Sequence, residues 1–503
     1  MPTSAHIAID LGAESGRVIV GTLSSGRLEL HEVHRFRHLP VPTPAGLCWD
    51  LTGLWRQILD GLATAAKHLE GAGLVAESVG VDTWGVDWTL LSERGVMLGL
   101  PRCYRDPAFD GAFAEVTSRV SARHIYDATG IQLMPFNTLY QYHGRTAQEP
   151  GVFDEARTLQ FMPDLLHWLL CGEAKIERTI ASTSQMVDVR TGDWNRELLG
   201  ELGLNVGPLV SPVAPGTSIG TLRADVAEAT GLPASVQVVL PPSHDTASAI
   251  AAAPAEEGSR WCYLSSGTWS LLGAEIDEPC ITDAAAEANF TNELGVSGTV
   301  RFLKNISGLW LVQEIRRHLE RDGGKAWDYA ELTEQAAGAE PLRTLIPVND
   351  PAFARPGGAV KRLQDYARQT DQPVPESVGA MVRCCLESLA LEYRKTLATL
   401  ESVLGREFDV LHILGGGGKN GLLNRMTAHA TGKTVIVGPE EATAMGNLLT
   451  QAKGTGHLAD LAAMRAVVRA SIESQRVEPD ADGAWAEPAA RYAELPPVVE
   501  AGR

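Results

Sequence analysis

The feature that most constrains this chain is a pattern that occurs twice. Near the start, His6-Ile7-Ala8-Ile9-Asp10 is an apolar run that ends at a carboxylate. A small polar turn follows, Leu11-Gly12-Ala13-Glu14-Ser15-Gly16, and Arg17-Val18-Ile19-Val20-Gly21 resumes the run. Near the midpoint Trp261-Cys262-Tyr263-Leu264 enters Ser265-Ser266-Gly267-Thr268, and Trp269 to Ala274 returns. Apolar runs bounded by glycine-bearing turns predict strand, turn and returning strand. Two such units in 503 residues, too many for one core, predict an α/β fold of two similar halves. Between them stands Ser243-His244-Asp245-Thr246. It follows a buried-strand pattern, Val236 to Leu240, and precedes a small apolar run, Thr246 to Ala253, suited to a tightly packed helix start.

The intervening sequence fits the same plan. Arg27-Leu28-Glu29-Leu30 completes an antiparallel meander, and Trp49 to Leu69 carries the helical period. Ser78 to Asp82 is a further strand with a polar end, which Val86 to Leu91 is expected to continue. Residues 105–205 read as helix and loop, an insertion bearing substrate contacts. Ser377 to Glu401 predicts a long helix. Asp409 to Leu414 predicts a strand running into Gly415-Gly416-Gly417-Gly418, followed by a helix from Leu422 to Thr431 and a strand from Thr434 to Val437. The expected domains are 1–250 and 251–456, with a hinge near 250–257. A tail, 457–503, shows no obvious core pattern.

The formal charge of −19 argues against nucleic acid and anionic membranes, which need clustered Lys and Arg. No apolar run is long enough to span a bilayer, and no signal peptide is apparent. The seven cysteines are scattered without zinc spacing. They predict buried thiols and a reducing, cytoplasmic setting.

Backbone N–H groups can cradle phosphate oxygens where small residues let a ligand approach. Gly12, Ser15, Gly16 and Arg17 offer one such turn, and Gly267 and Thr268 another. Each alone reads equally as a hairpin turn, but a four-glycine run between strand and helix tilts both toward a nucleotide. None matches a P-loop. Asp245 is the candidate base for an attacking alcohol, and a helix-capping role is compatible with that. Asp10 could hold Mg²⁺ through water or simply cap its turn. Asp82, Trp84 and Asp87 combine polar groups with an aromatic ring, as a sugar site would.

Taken in order and spacing, these segments resemble the FGGY carbohydrate kinases. The resemblance runs from about residue 6 to about 455. It rests on Asp10 to Arg17, Gly80-Val81-Asp82-Thr83-Trp84-Gly85-Val86-Asp87, and Gly130-Ile131-Gln132 with Pro135 to Gln141. It rests further on Ser243 to Ala249, Ser265 to Ser270, Lys304-Asn305-Ile306 with Gly308-Leu309-Trp310, and Gly415-Gly416-Gly417. The family implies two actin-like (ribonuclease H-like) ATPase domains with an interdomain cleft that closes on the sugar. It also implies ATP and Mg²⁺ as cofactors. Within the family the segments are most similar to kinases of L-rhamnulose, which implies phosphorylation on O1. By the same resemblance Ala13, Glu14, Ser15, Gly16 and Arg17 would contact the ATP phosphates, and Thr268 would lie beside the γ-phosphate. Asn305 and Gln313 would complete the ATP side, with Asn305 also counted among the ketose contacts. Gly416 and Gly417 would pack on the nucleoside. Gly85, His244, Asp245 and Thr246 would bind the ketose, with Asp245 as proton acceptor. Ala13 departs from the Thr of many sugar kinases in the wider family, and Glu14 brings a negative charge toward the phosphates. Another ketose (L-fuculose or L-xylulose) is an alternative substrate. A non-catalytic sugar or nucleotide sensor is the alternative of a different class. Small molecules are the expected partners, and oligomeric state stays open.

Overall fold

The computed structural model describes residues 3–323, 325–480 and 483–499. The chain divides into two compact units. The first comprises 1–254, 275–302 and 441–472, and the second 255–274, 303–440 and 473–503. The first division falls at Pro254, inside the expected hinge, but the chain then returns to the first unit twice. Residues 275–302 return because Leu294 N–H donates to Ser182 Oγ at 3.0 Å and Asn292 Nδ2 to the Gly130 carbonyl at 2.9 Å. Residues 441–472 return because the helix Ala442–Gly454 packs on the helix Asp245–Ala251 and on the first strand.

In the first unit, β1 (Ser4–Leu11), β2 (Ser15–Ser24) and β3 (Arg27–Arg37) form the expected antiparallel meander. β1 is buried along its whole length, which its continuous apolar run requires. Its other edge pairs in parallel with Ala76–Thr83, which pairs in parallel with Gln237–Val239, and antiparallel Ser218–Thr221 closes the sheet. The helix Leu51–Gly71 buries Leu51, Leu54, Ile58, Leu62, Ala65 and Leu69, one face at helical spacing. It lies so close to β2 that a Cβ on Gly61 would sit 2.4 Å from Val18 Cγ2.

The second unit repeats this plan. Val300–Ile306, Ser270–Ile276, Trp261–Ser266, Val410–Leu414, Thr434–Val437 and Gln475–Val477 lie side by side in that order. Trp261–Ser266 is antiparallel to Ser270–Ile276 and parallel to Val410–Leu414. Thr434–Val437 continues in parallel, and Gln475–Val477 closes in antiparallel. The hairpin echo seen in sequence thus extends to all six strands of the first sheet, matched in order by six of the seven strands of the second, which adds Thr291–Leu294 beyond Val300–Ile306. The 27-residue helix Val378–Leu404 buries Cys384 and Cys385. All seven cysteines are free.

Two expectations fail here. Trp88–Ser92 does not continue the strand Ala76–Thr83; it pairs antiparallel with Ala156–Phe161 in a separate sheet. The chain turns away between them, with Val86 at φ 69°, a conformation costly for a β-branched residue. Nor is 457–503 without a core pattern. It forms helices Leu461–Ser471 and Ala486–Ala493 besides the edge strand, and buries Met464, Val467, Val468 and Tyr492. No helix among the described residues is long and apolar enough to cross a membrane.

Candidate functional site

Strand register brings the first charges together. Asp10 lies opposite Arg17 across the β1–β2 hairpin and beside Asp82 on the parallel neighbour. Both carboxylates are buried. Arg17 bridges Asp10 and Glu441, the residue that precedes the helix Ala442–Gly454. From the same helix Asn447 Nδ2 donates to Asp82 Oδ2 at 2.6 Å. Asp82 Oδ1 is buried with no hydrogen-bond partner among the described residues. Burial pushes the Asp10 carboxyl up to about 6; Arg17 opposes this, while Asp245 and Glu441 add to it. Burial, then Asp10, push Asp82 well above the ordinary carboxylate range, against the Asn447 hydrogen bond.

Asp245 sits at the start of the helix Asp245–Ala251. Its backbone approach is fixed by a buried carboxylate, Glu177. Glu177 accepts from Ser243 N–H at 3.0 Å and from Thr179 and Ile180 N–H, capping its own helix. Thr83 N–H donates to the Ser243 carbonyl at 2.9 Å, joining this loop to the strand of Asp82. Asp245 Oδ1 accepts from Thr246 N–H and from Thr246 Oγ1 at 3.1 Å. The Asp245 side chain is 32% exposed, unlike buried Asp10 and Asp82. His244 Nε2 lies 3.4 Å from Asp245 Oδ1. The structure therefore gathers Asp10, Arg17, Asp82, His244, Asp245 and Thr246 within one unit. Gly85 lies on the turn that leaves Asp82's strand, where a Cβ would sit 3.1 Å from Thr183 Oγ1.

The turn between Asp10 and Arg17 is tied by Gly12 N–H to the Ser15 carbonyl at 2.9 Å. Ala13 and Glu14 are half-buried within it. Gly16 is glycine for a packing reason: a Cβ there would meet Leu11 Cδ2 and Phe36 Cζ at 2.5 Å. Trp84, Asp82 and Asp87 are buried, so they form packed core instead of an open sugar platform. Asp87 Oδ2 accepts from Trp49 Nε1 at 2.6 Å and Trp84 Nε1 at 2.9 Å.

In the second unit the turn Ser266–Ser270 is held by the start of the helix that carries Gln313. Leu309 N–H donates to the Gly267 carbonyl at 3.0 Å and Gln313 Nε2 to Thr268 Oγ1 at 2.9 Å. Thr268 and Gln313 are thus brought together. Asn305 is half-buried on Val300–Ile306. Of the glycine run, Gly417 packs on Ser266, whose Oγ a Cβ would approach to 2.1 Å. Gly415 adopts φ 83°. Only Gly416 is exposed with open space where a Cβ would be.

These strand-end carboxylates and glycine turns, each on one of two like sheets, match a known family. Its N-terminal domain model, described as the FGGY family of carbohydrate kinases, covers residues 5–251, and the C-terminal domain model covers 262–455. The chain belongs to the FGGY family of carbohydrate kinases. Proteins named rhamnulokinase are similar along nearly its whole length. That of Bacteroides thetaiotaomicron is 43% identical over 481 residues, covering 95% of this chain and 96% of its own. That of Bacillus subtilis is 39% identical over 467 residues, covering 93% and 94%. Among solved structures, a ligand-bound xylulose kinase from Lactobacillus acidophilus superposes with TM-score 0.77 at 14% identity over 98% of this chain and 96% of its own. A Plasmodium falciparum glycerol kinase with ADP gives 0.77 at 15%, covering 98% and 97%. At such identities the structures establish the fold, a two-domain FGGY kinase.

Sequence reasoning did not find Glu441, Asn447 or Glu177. Glu441 and Asn447 lie some 360 residues or more from their partners, Asp82 and Arg17. The one available signal was the repeat itself, which makes the segment after Val437 the counterpart of the segment after Val239.

Proposed function

We propose that this chain transfers the γ-phosphoryl group of ATP to O1 of L-rhamnulose. The observation that carries the choice of sugar is the similarity to rhamnulokinases across more than nine-tenths of both chains. Asp245 is the general base. Of the cluster's two half-exposed carboxylates, Glu441 is paired with Arg17 whereas Asp245 stands beside His244, which offers a second polar contact to a sugar. Asp245 takes the proton from the O1 hydroxyl as that oxygen attacks phosphorus. Gly85, His244 and Thr246 orient the ketose, and Asn305 is counted among its contacts. Arg17 with the turn Ala13, Glu14, Ser15 and Gly16 contacts phosphates. Thr268 and Gln313 contact the γ-phosphate side, and Gly416 and Gly417 the nucleoside.

The buried carboxylates suit a cation. Asp10 and Asp82 raise one another's affinity for positive charge, and Asp82 Oδ1 has no hydrogen-bond partner among the described residues. Asp10, through water, would hold Mg²⁺, which when bound offsets phosphate charge during transfer. The test is ADP release with Mg-ATP and L-rhamnulose, L-fuculose, L-xylulose, D-xylulose or glycerol. Phosphorus NMR then locates the ester. Preference for L-rhamnulose with an O1 ester is expected. Preference for another sugar overturns the substrate, and no sugar-stimulated turnover overturns the kinase reading in favour of a sensor.

A further inference from the structure

Beside His244 lies a buried ion pair that the proposed reaction does not use. Glu293 is on the strand Thr291–Leu294 and Arg301 on Val300–Ile306. They are 6% and 1% exposed. Their charged ends meet at 2.9 Å, Arg301 Nη1 to Glu293 Oε2. Both also approach the same nitrogen of His244: Arg301 Nη1 at 3.2 Å and Glu293 Oε2 at 3.2 Å from Nδ1. Burying two charges costs free energy unless each is paired and hydrogen-bonded. This pair therefore acts on whatever it touches, and it touches His244.

The two contacts to Nδ1 are not equivalent. Arg301 Nη1 and His244 Nδ1 satisfy hydrogen-bond geometry, whereas Glu293 Oε2 has no hydrogen-bond partner among the described residues. A guanidinium only donates, so Nδ1 must accept with its lone pair. In a neutral ring the proton is then on Nε2. That nitrogen faces Asp245 Oδ1, where a lone pair would be repelled and an N–H attracted. The Arg301 contact at Nδ1 and the Asp245 contact at Nε2 thus select the same tautomer, and the Glu293 carboxylate 3.2 Å from Nδ1 acts against it. Glu293 neutralises Arg301.

We propose that Arg301, with Glu293 as its counter-ion, is a positioning residue that fixes the His244 proton on Nε2 and so aims an N–H at Asp245. The proposal rests on the reading of Asp245 as the base for its consequence in turnover, but the tautomer itself does not depend on that reading. The full-length protein, labelled with ¹⁵N-histidine, is measured by long-range ¹⁵N–¹H NMR at a pH where the ring is neutral, with His244→Gln identifying the signal. The wild type is expected to show the Nε2–H tautomer. Arg301→Met leaves Glu293 without its partner, so the double variant Glu293→Gln/Arg301→Met is measured beside it; that site is neutral and has the better prospect of folding. In the folded variants the Nε2–H fraction falls, Asp245 alone then favouring it. With Mg-ATP and L-rhamnulose, kcat/KM for the ketose falls at least about tenfold while KM for ATP holds. Glu293→Gln alone keeps the tautomer. An Nδ1–H tautomer in the wild type overturns the proposal, and so does a folded double variant with an unchanged tautomer. If the tautomer changes as expected and Asp245→Asn still turns over normally, the base reading fails and the positioning role stands.

Discussion

Gly446→Ala tests how the helix that begins at Asp245 is held. Gly446 lies within the helix Ala442–Gly454, whose backbone runs against Asp245–Ala251. A Cβ at 446 would stand 1.8 Å from the Ser248 carbonyl oxygen and 2.6 Å from its carbon. These are backbone atoms, so no rotamer change relieves the overlap. Bringing the contact to 3.0 Å needs a shift of at least about 1.2 Å. Overpacking of this kind costs about 1–3 kcal/mol, with a rigid backbone at the upper end. Alanine returns about 1 kcal/mol of helix propensity. The net loss is about 2 kcal/mol, which lowers Tm by about 3 °C for a unit of about 310 residues. The same shift moves Asp245 relative to Asn447 and Asp82, and a displacement of about 1 Å can cost about 100-fold in rate. Thermal unfolding and steady-state kinetics measure both. Gly200→Ala is the control: Gly200 lies in the helix Arg196–Glu201 with nothing within 4 Å of a new Cβ, so it should melt at or slightly above the wild type. A Gly446→Ala protein that melts no lower than the wild type and keeps its kcat refutes the close-packing argument.

Asp245→Asn should keep its KM for ATP and lose turnover by about 10²–10⁴-fold, and near-normal turnover removes Asp245 as base. Asp87 gives a stability test with a definite sign. Burial pushes its carboxyl up to about 7, against 3.8 ordinarily, despite the hydrogen bonds from Trp84 and Trp49. The folded state then holds the proton more tightly, so this contribution is complete below about pH 4 and is lost as pH rises through 7. Urea midpoints should therefore rise for Asp87→Asn relative to the wild type between pH 5 and pH 8, and an unchanged difference contradicts the burial argument. Thiol titration of the native protein should register at most Cys171 and Cys280, which are half-buried, and all seven thiols after denaturation without reductant. A shortfall after denaturation would reveal a disulfide.

Much of the fold was legible because its central strands are buried on both faces. Such strands read as unbroken apolar runs, and their ends, Asp10, Asp82 and Leu414, stand where the pattern stops. The turn at Gly85 and Val86 was not legible. Val86 is held at positive φ by tertiary hydrogen bonds: Thr138 Oγ1 donates to its carbonyl at 2.7 Å, and its N–H reaches Thr183 Oγ1 at 3.3 Å. The last two helices were hidden because few apolar residues, such as Met464, Val467 and Val468, stand among alanines and charges. Two of the glycines also have a packing reason that the sequence did not show: Leu11 and Phe36 fill the space a Cβ would take at Gly16, and Ser266 that at Gly417. Their small size shapes the turns.

The repeated sheet also explains why the chemistry is unequally shared. Corresponding strands end differently: β1 reaches Asp10, while Trp261–Ser266 ends in hydroxyls. Ala76–Thr83 presents Asp82, while Val410–Leu414 runs into glycine. After the third strand one half places Asp245 at a helix start, and the other places Glu441 before its own helix. These two counterpart helices pack on each other through Gly446 and Ser248, so Glu441 returns to the first unit and meets Arg17. Four carboxylates, Asp10, Asp82, Asp245 and Glu441, thus share one guanidinium among the groups that perturb Asp10 and Asp82. Like charges so close oppose ionisation of the buried pair, Asp10 and Asp82. Added positive charge would favour it, and magnesium bound in this cluster would supply that charge when nucleotide arrives. The hydroxyl and glycine turns of the other half present donors without adding negative charge, as the proposed contact with phosphate oxygens would require. The division of labour follows from which half kept its strand-end acids.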